Sequence, residues 1–177
     1  MKSNIRLLTE KDASAYRTLR LHSYQEAPLA FSESYEDEQH RTDTDFAQEL
    51  KTVGNAPEWF VLGAFSESDQ LIGFVKFRRD RRSKARHKSM IHAMYTDPAY
   101  RKQGVWRELI YSLLERVKQL EGLEQIHLWV LHSAVGGSAS GFYKSCGFEN
   151  QGPVVRKDLK MGAVYVDAEY MVMYLGE

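Results

Sequence analysis

The stretch Tyr100-Arg101-Lys102-Gln103-Gly104-Val105-Trp106-Arg107 joins a strand-like run, Ser89 to Thr96, to an amphipathic helix from Gly104 to Leu120. A further strand-like run, Gln125 to Leu131, follows it. A strand, a crossover helix and a strand predict a mixed sheet with helices on both faces. The junction itself can hold a phosphate. The first turn of a helix leaves backbone N–H groups without partners and carries the positive end of the dipole, so a glycine there lets an anion come close. Gly104 supplies that approach, and Arg101, Lys102 and Arg107 add positive charge suited to a diphosphate. Taken alone, the same residues also suit a solvated turn after Asp97-Pro98.

The rest of the chain supplies the other layers. Ile5, Leu7 and Leu8 read as a short first strand, and Thr9-Glu10-Lys11-Asp12 as a helix cap with an acid three residues on. A helix then runs to about Tyr24, Ala27 to Phe31 breaks it, and a second helix is expected from Asp43 to Thr52. Trp59 to Phe65 and Leu71 to Phe77 are β-prone runs joined by Ser66-Glu67-Ser68-Asp69-Gln70, a hairpin signature. The helix after Gly104 puts Leu109, Ile110, Leu113, Leu114 and Val117 on one face. Ser138 to Cys146 reads as a last helix and Glu169 to Leu175 as a last strand. With 177 residues, 43% of them hydrophobic, the chain suits one domain over residues 1–177.

About one strand and one helix beyond Gly104 comes Ala139, followed by Phe142-Tyr143-Lys144-Ser145-Cys146-Gly147-Phe148. Together the two motifs, Arg101-x-x-Gly104-x-Trp106 and Ala139-x-x-x-Tyr143 with Gly147-Phe148, resemble the GNAT superfamily of acetyl-CoA-dependent N-acetyltransferases. The resemblance is strongest between Met90 and Phe148. It implies an α/β (α+β) fold: a single-domain, mixed, mostly antiparallel sheet with splayed central strands and helices on both faces. It also implies acetyl-CoA as cosubstrate, and transfer of its acetyl group to a primary amine of a small molecule or peptide, directly in a ternary complex. A non-catalytic acyl-CoA-binding module for regulation or interaction is the alternative.

Acetyl transfer from a thioester to an amine needs a neutral amine, support for an oxyanion and a proton for the departing thiolate. A free thiol has a pKa of about 8.5 and a tyrosine about 10, so a phenol near the sulfur can donate as charge builds. By resemblance Tyr143 stands at the general-acid position, and a core tyrosine on a short helix is the bland reading. The resemblance also implies that backbone N–H groups of Met94, Tyr95 and Thr96, at the end of a strand that splays from its neighbour, support the oxyanion. The resemblance implies a base at the position of His92, where several family members carry a Glu or His, and alternation would put 92, 94 and 96 on one face. A structural histidine fits that position as well. His132 and Glu26 are weaker candidates. The cosubstrate-binding set is completed by Arg101, Lys102, Gln103, Gly104, Val105, Trp106, Arg107, Ser138 and Ala139.

Two positions depart from the family pattern. Trp106 stands where Gly or Ala is usual, so its indole either hinders the diphosphate, points outward or lies against the cosubstrate. Gly136 stands where Asn is common, leaving Ser138 or a water for the pantetheine. Cys146 precedes Gly147-Phe148 at a helix C-terminus, where the negative dipole end disfavours thiolate, so no acetyl-enzyme is expected.

Lys plus Arg equals Asp plus Glu, 24 against 24, so no net field draws the chain to nucleic acid or membrane. A single cysteine excludes an internal disulfide, no ligand spacing points to a metal, and a reducing cytoplasm fits. No signal peptide or bilayer-spanning run is evident. Acids from Glu33 to Glu49 would draw a cationic amine if they lie over the acceptor cleft, as the resemblance implies, and otherwise merely solvate the surface. Arg78, Arg79, Arg81, Arg82, Lys84, Arg86 and Lys88 read as a solvated basic loop, or as a contact for nucleic acid, an acidic partner or the cosubstrate's 3′-phosphate. Residues 28–44 and 152–166 are expected to select the acceptor, and Tyr165 and Tyr170 either border that cleft or pack in the core. The chain is compatible with a monomer or a homodimer.

Overall fold

Thr9 opens the first helical segment through the expected reciprocal cap. Its backbone N–H donates to Asp12 Oδ2 at 2.8 Å, and Asp12 is also gripped by both guanidinium nitrogens of Arg6. In the computed structural model, which describes residues 3–54, 57–132 and 139–176, this cap forms a 3-10 turn ahead of α1 (Ala13–Glu26). A second 3-10 turn, Pro28–Ala30, breaks the helix where Pro28 ends it. The short α2 (Tyr35–Glu38) follows, capped by Ser34, and then α3 (Asp43–Gly54).

The strands are β1 (Asn4–Leu7), β2 (Trp59–Phe65), β3 (Leu71–Arg79), β4 (Lys88–Thr96), β5 (Gln125–His132), β6 (Glu149–Asn150), β7 (Val155–Met161) and β8 (Val164–Tyr174). They form one eight-stranded sheet in the order β1-β2-β3-β4-β5-β8-β6, with β7 also on β8. Every pair is antiparallel except β4 with β5, which α4 (Val105–Val117) connects as a crossover. The last helix is α5 (Ser140–Ser145). β7 and the first residues of β8 lie within the acceptor-selecting segment 152–166, where the sequence signals no strand. Their strand character is hidden because β7 is exposed along nearly its whole length, so no apolar alternation marks it.

Side chains of successive strand residues face opposite ways, and β3 shows which helices cover which face. Phe74 meets Tyr16 of α1 edge to face, and Tyr16 in turn meets Phe46 of α3. The neighbouring Gly73 faces α4: a Cβ there would lie 2.9 Å from the Tyr95 carbonyl oxygen and 3.4 Å from Leu109 Cδ1. Leu109, Ile110, Leu113 and Val117 are fully buried beneath α4, as the helical spacing requires.

Two irregularities in β4 shape the centre of the sheet. Parallel pairing with β5 covers only Lys88, Ser89 and Met90, opposite Gln125, Ile126 and His127. Beyond that point the two strands part. On its other edge β4 carries a bulge: Phe77 pairs with Ile91 and Lys76 with Ala93, leaving His92 as the extra residue.

Candidate active site

Where β4 and β5 part, they frame a cavity of about 890 Å3. Its walls come from Ile91–Thr96 of β4, Leu128–Leu131 of β5, residues 26–31 at the end of α1 and beyond it, the loop and first turn of α4, Ala139 at the N-cap of α5, and Phe142 and Tyr143 of α5. Thus His92, Met94, Tyr95, Thr96, Arg101, Lys102, Gly104, Val105, Trp106, Arg107, Ala139 and Tyr143 are brought together in one wall. Gln103 is not; its side-chain amide turns back to the Ala99 carbonyl at 3.0 Å. Ser138 and Gly136 lie outside the described residues.

The loop before α4 has the backbone an anion site needs. Lys102 and Gly104 take φ of +61° and +90°, and Gly104 is the N-cap of α4. Left-handed residues in such a loop turn successive N–H groups to one side, and the helix dipole adds to them. A Cβ built on Gly104 meets nothing within 4 Å, so the approach to these amides is open. Lys102 and Arg107 are exposed beside it. Arg101 departs from expectation: its guanidinium is paired with both oxygens of Glu26, and its Nε donates to the Thr96 carbonyl at 3.2 Å. Tyr95 donates its hydroxyl to the same Glu26 at 3.1 Å. Glu26 is therefore engaged in joining the end of α1 to the α4 loop, which weakens it as a base.

Trp106 is half-buried and lies inward, its ring 5.2 Å from that of Phe142 and 6.2 Å from that of Tyr143. Tyr143 is buried among Trp106, Phe142 and Phe148, and its hydroxyl meets Met94 Sδ at 3.5 Å. Burial, with a smaller contribution from Cys146, pushes this phenol well above the usual tyrosine range, so it keeps its proton.

The Asp97 amide donates to the Ile72 carbonyl, so strand alternation turns the Tyr95 amide toward β3 and the Met94 and Thr96 amides toward the gap. The bulge interrupts strict alternation at His92, so 94 and 96 share a face while 92 belongs to its own local geometry. Partial desolvation, Lys76 and Arg78 lower the His92 pKa below the ordinary imidazole value, and Glu33 opposes them. His132 stands apart from the cavity wall, 3.4 Å from Glu169. Burial raises the Cys146 thiol, as expected for an unreactive cysteine.

The charged segments resolve differently from the sequence reading. None of the acids from Glu33 to Glu49 lines the cavity, and several are engaged locally: Asp37 and Asp45 in caps, Glu38 and Glu49 with Arg41, and Glu49 also with Lys76. In the basic loop Arg79 is buried against Glu58 and the Glu121 carbonyl, Arg86 pairs with Glu58 and Arg82 with Asp80. That loop adjoins Lys88, the far end of β4 from Thr96, roughly 26 Å away at strand rise, which removes it from a cosubstrate held at Gly104. Tyr165 is 48% exposed rather than a core residue. Among the described residues no group of His, Cys, Asp and Glu could hold a metal, and no helix is long and apolar enough to cross a membrane.

The model of the acetyltransferase (GNAT) family matches residues 20–148. The chain belongs to that family. An acetyltransferase of the GNAT family from Streptococcus pneumoniae superposes with a TM-score of 0.87 at 19% identity, covering 99% of this chain and 100% of that one. The yncA structure from Salmonella typhimurium, solved with its cofactor acetyl-CoA, gives 0.82 at 15% identity over 100% and 96%. A GNAT superfamily phosphinothricin acetyltransferase from Sinorhizobium meliloti, in complex with AcCoA, gives 0.79 at 19% over 99% and 90%. At these identities the likeness establishes the fold. No curated protein matches the chain significantly.

Sequence reasoning singled out Glu26 as a weaker base and residues 28–31 within the acceptor-selecting segment, but it gave no site role to Phe142 or to the run Leu128–Leu131 with Trp129, which also line the cavity. Phe142 is adjacent to a motif residue and could have been found from it. Trp129 is the aromatic in an otherwise apolar strand, and its 45% exposure is the signal that strand reading suppresses.

Proposed function

We propose that this protein transfers the acetyl group of acetyl-CoA to a primary amine of a small molecule or peptide, by direct transfer in a ternary complex. The reading is carried by one observation, the gap that opens beyond Met90 and His127 and leads to the open mouth of α4 at Gly104. The cavity suits the cosubstrate, since a Cβ at Gly104 would stand where the anion approaches. When bound, acetyl-CoA supplies an acetyl group activated as a thioester. The chain's own residues do the rest.

The amides of Gln103 to Trp106, with Lys102 and Arg107, hold the diphosphate. Ala139 and the inward ring of Trp106 border the arm that follows it, and Ser138 belongs to the same proposed set. The amides of Met94 and Thr96 support negative charge on the carbonyl oxygen, with Tyr95 fixing the strand between them. His92 takes a proton from the amine, directly or through water, at its neutral imidazole. Tyr143 holds a proton at its hydroxyl for the departing sulfur, in surroundings dry enough to strengthen that hydrogen bond.

A panel of polyamines, aminoglycosides, amino acids, arylalkylamines and peptides, offered with acetyl-CoA while free thiol is followed, tests the proposal. Acceptor-dependent thiol release supports it. CoA binding without transfer to any amine would favour the non-catalytic module.

A further inference from the structure

On the sheet face that carries Tyr95 and α1, the register sets out a row of side chains across four strands. Arg78 pairs with Met90, Met90 with His127, and Trp129, two residues along from His127, with Tyr170. Side chains opposite each other in register share a face, so these belong to one surface. Tyr170 stacks on His127 at 5.4 Å and meets Trp129 at 4.9 Å. Trp129 lines the cavity and remains 45% exposed, so the ladder of rings begins at the cavity wall and runs outward along β5 and β8.

The charges beside this ladder decide what it suits. Lys76 and Arg78 are the cations that act on His92. Lys76 is paired with Glu49 at 2.7 Å, whereas Arg78 lies over the Trp59 ring and acts on the Asp80 carboxylate. Glu26, the carboxylate in the cavity wall, is neutralised by Arg101. Glu33, the remaining acid acting on His92, opposes two cations. A second positive charge on the acceptor would find no free carboxylate in the cavity wall, whereas a flat neutral ring gains a stacking surface on Trp129.

We propose that the acceptor is an arylalkylamine-type molecule, a primary amine carrying a planar aromatic ring and no second cation, with its ring on Trp129 and Tyr170. This rests on the transfer reading above and names its substrate class.

Calorimetric titration of phenethylamine, tryptamine, butylamine and putrescine into the CoA-saturated protein reads ring binding independently of turnover. The two aromatic amines are expected to bind about tenfold or more tightly than butylamine and putrescine. Trp129→Ala should abolish that margin, and Trp129→Phe should keep most of it. Equal or tighter binding of putrescine, or an unchanged aromatic margin in Trp129→Ala, would overturn the proposal. Thiol release measured in parallel separates the two claims: ring binding with no acetyl transfer counts against the transfer reading and leaves the ring site supported.

Discussion

The Tyr143 hydroxyl meets the Met94 sulfur at 3.5 Å, tying α5 to β4 across the gap where β5 turns away. This contact puts the phenol beside the strand whose amides face the cavity. Removing the hydroxyl deletes the proposed proton source and a weak sulfur contact, leaving the ring packed among Trp106, Phe142 and Phe148. Tyr143→Phe should lower kcat by about 100-fold. CoA affinity should change by less than about twofold, since no strong hydrogen bond is lost. Steady-state thiol release and calorimetry on the same preparation check both.

As the proposed base, His92 gives the pH dependence its sign. Its folded-state pKa lies below the ordinary imidazole value of 6.5, because burial and the cations Lys76 and Arg78 disfavour the charged ring. A base must be unprotonated, so kcat/KM should hold as pH falls through 7 and decline only below the lowered pKa, by about tenfold per pH unit. The same shift makes the unfolded chain bind more protons between the two values, so acid also removes stability there. His92→Ala should erase the acid limb of the rate profile. A profile whose acid limb survives that substitution would take the base role from His92.

Arg20 of α1 is buried among the Tyr24, Phe31 and Phe74 rings and donates to the Tyr24 hydroxyl, while its Nη1 has no partner among the described residues. A buried guanidinium that loses an acceptor carries the full desolvation cost of the exposed N–H. Tyr24→Phe should therefore destabilise the fold by about 1–3 kcal/mol, read from denaturant unfolding midpoints. A change within a few tenths would mean that ring contacts alone hold the guanidinium.

Local pattern carried much of the fold. Apolar spacing located α4, alternation located β2 and β3, and the Thr9 to Asp12 cap was readable because its partners are three residues apart. β7 was not readable, since its side chains face water on both sides and pairing with β8 alone makes it a strand. The same distinction governs the site. Gly104 and Tyr143 stand in short motifs, whereas the Glu26–Arg101 pair spans 75 residues and the bulge at His92 arises from register with β3. The splay of β4 from β5 followed from family resemblance, because no periodicity records where two strands stop pairing.

The central claim is that the mouth of α4 holds the diphosphate of CoA. Gly104 sits at φ +90° with open space beyond it, so a side chain there strains the backbone by about 1 kcal/mol and intrudes on the anion without clashing with the protein. Calorimetric titration of CoA into wild type and Gly104→Val, with circular dichroism to verify folding, is the most direct measurement. Saturable binding to wild type is expected, with at least about tenfold weaker binding to the folded variant. Absent binding to wild type, or equal affinity in the two proteins, would contradict that claim.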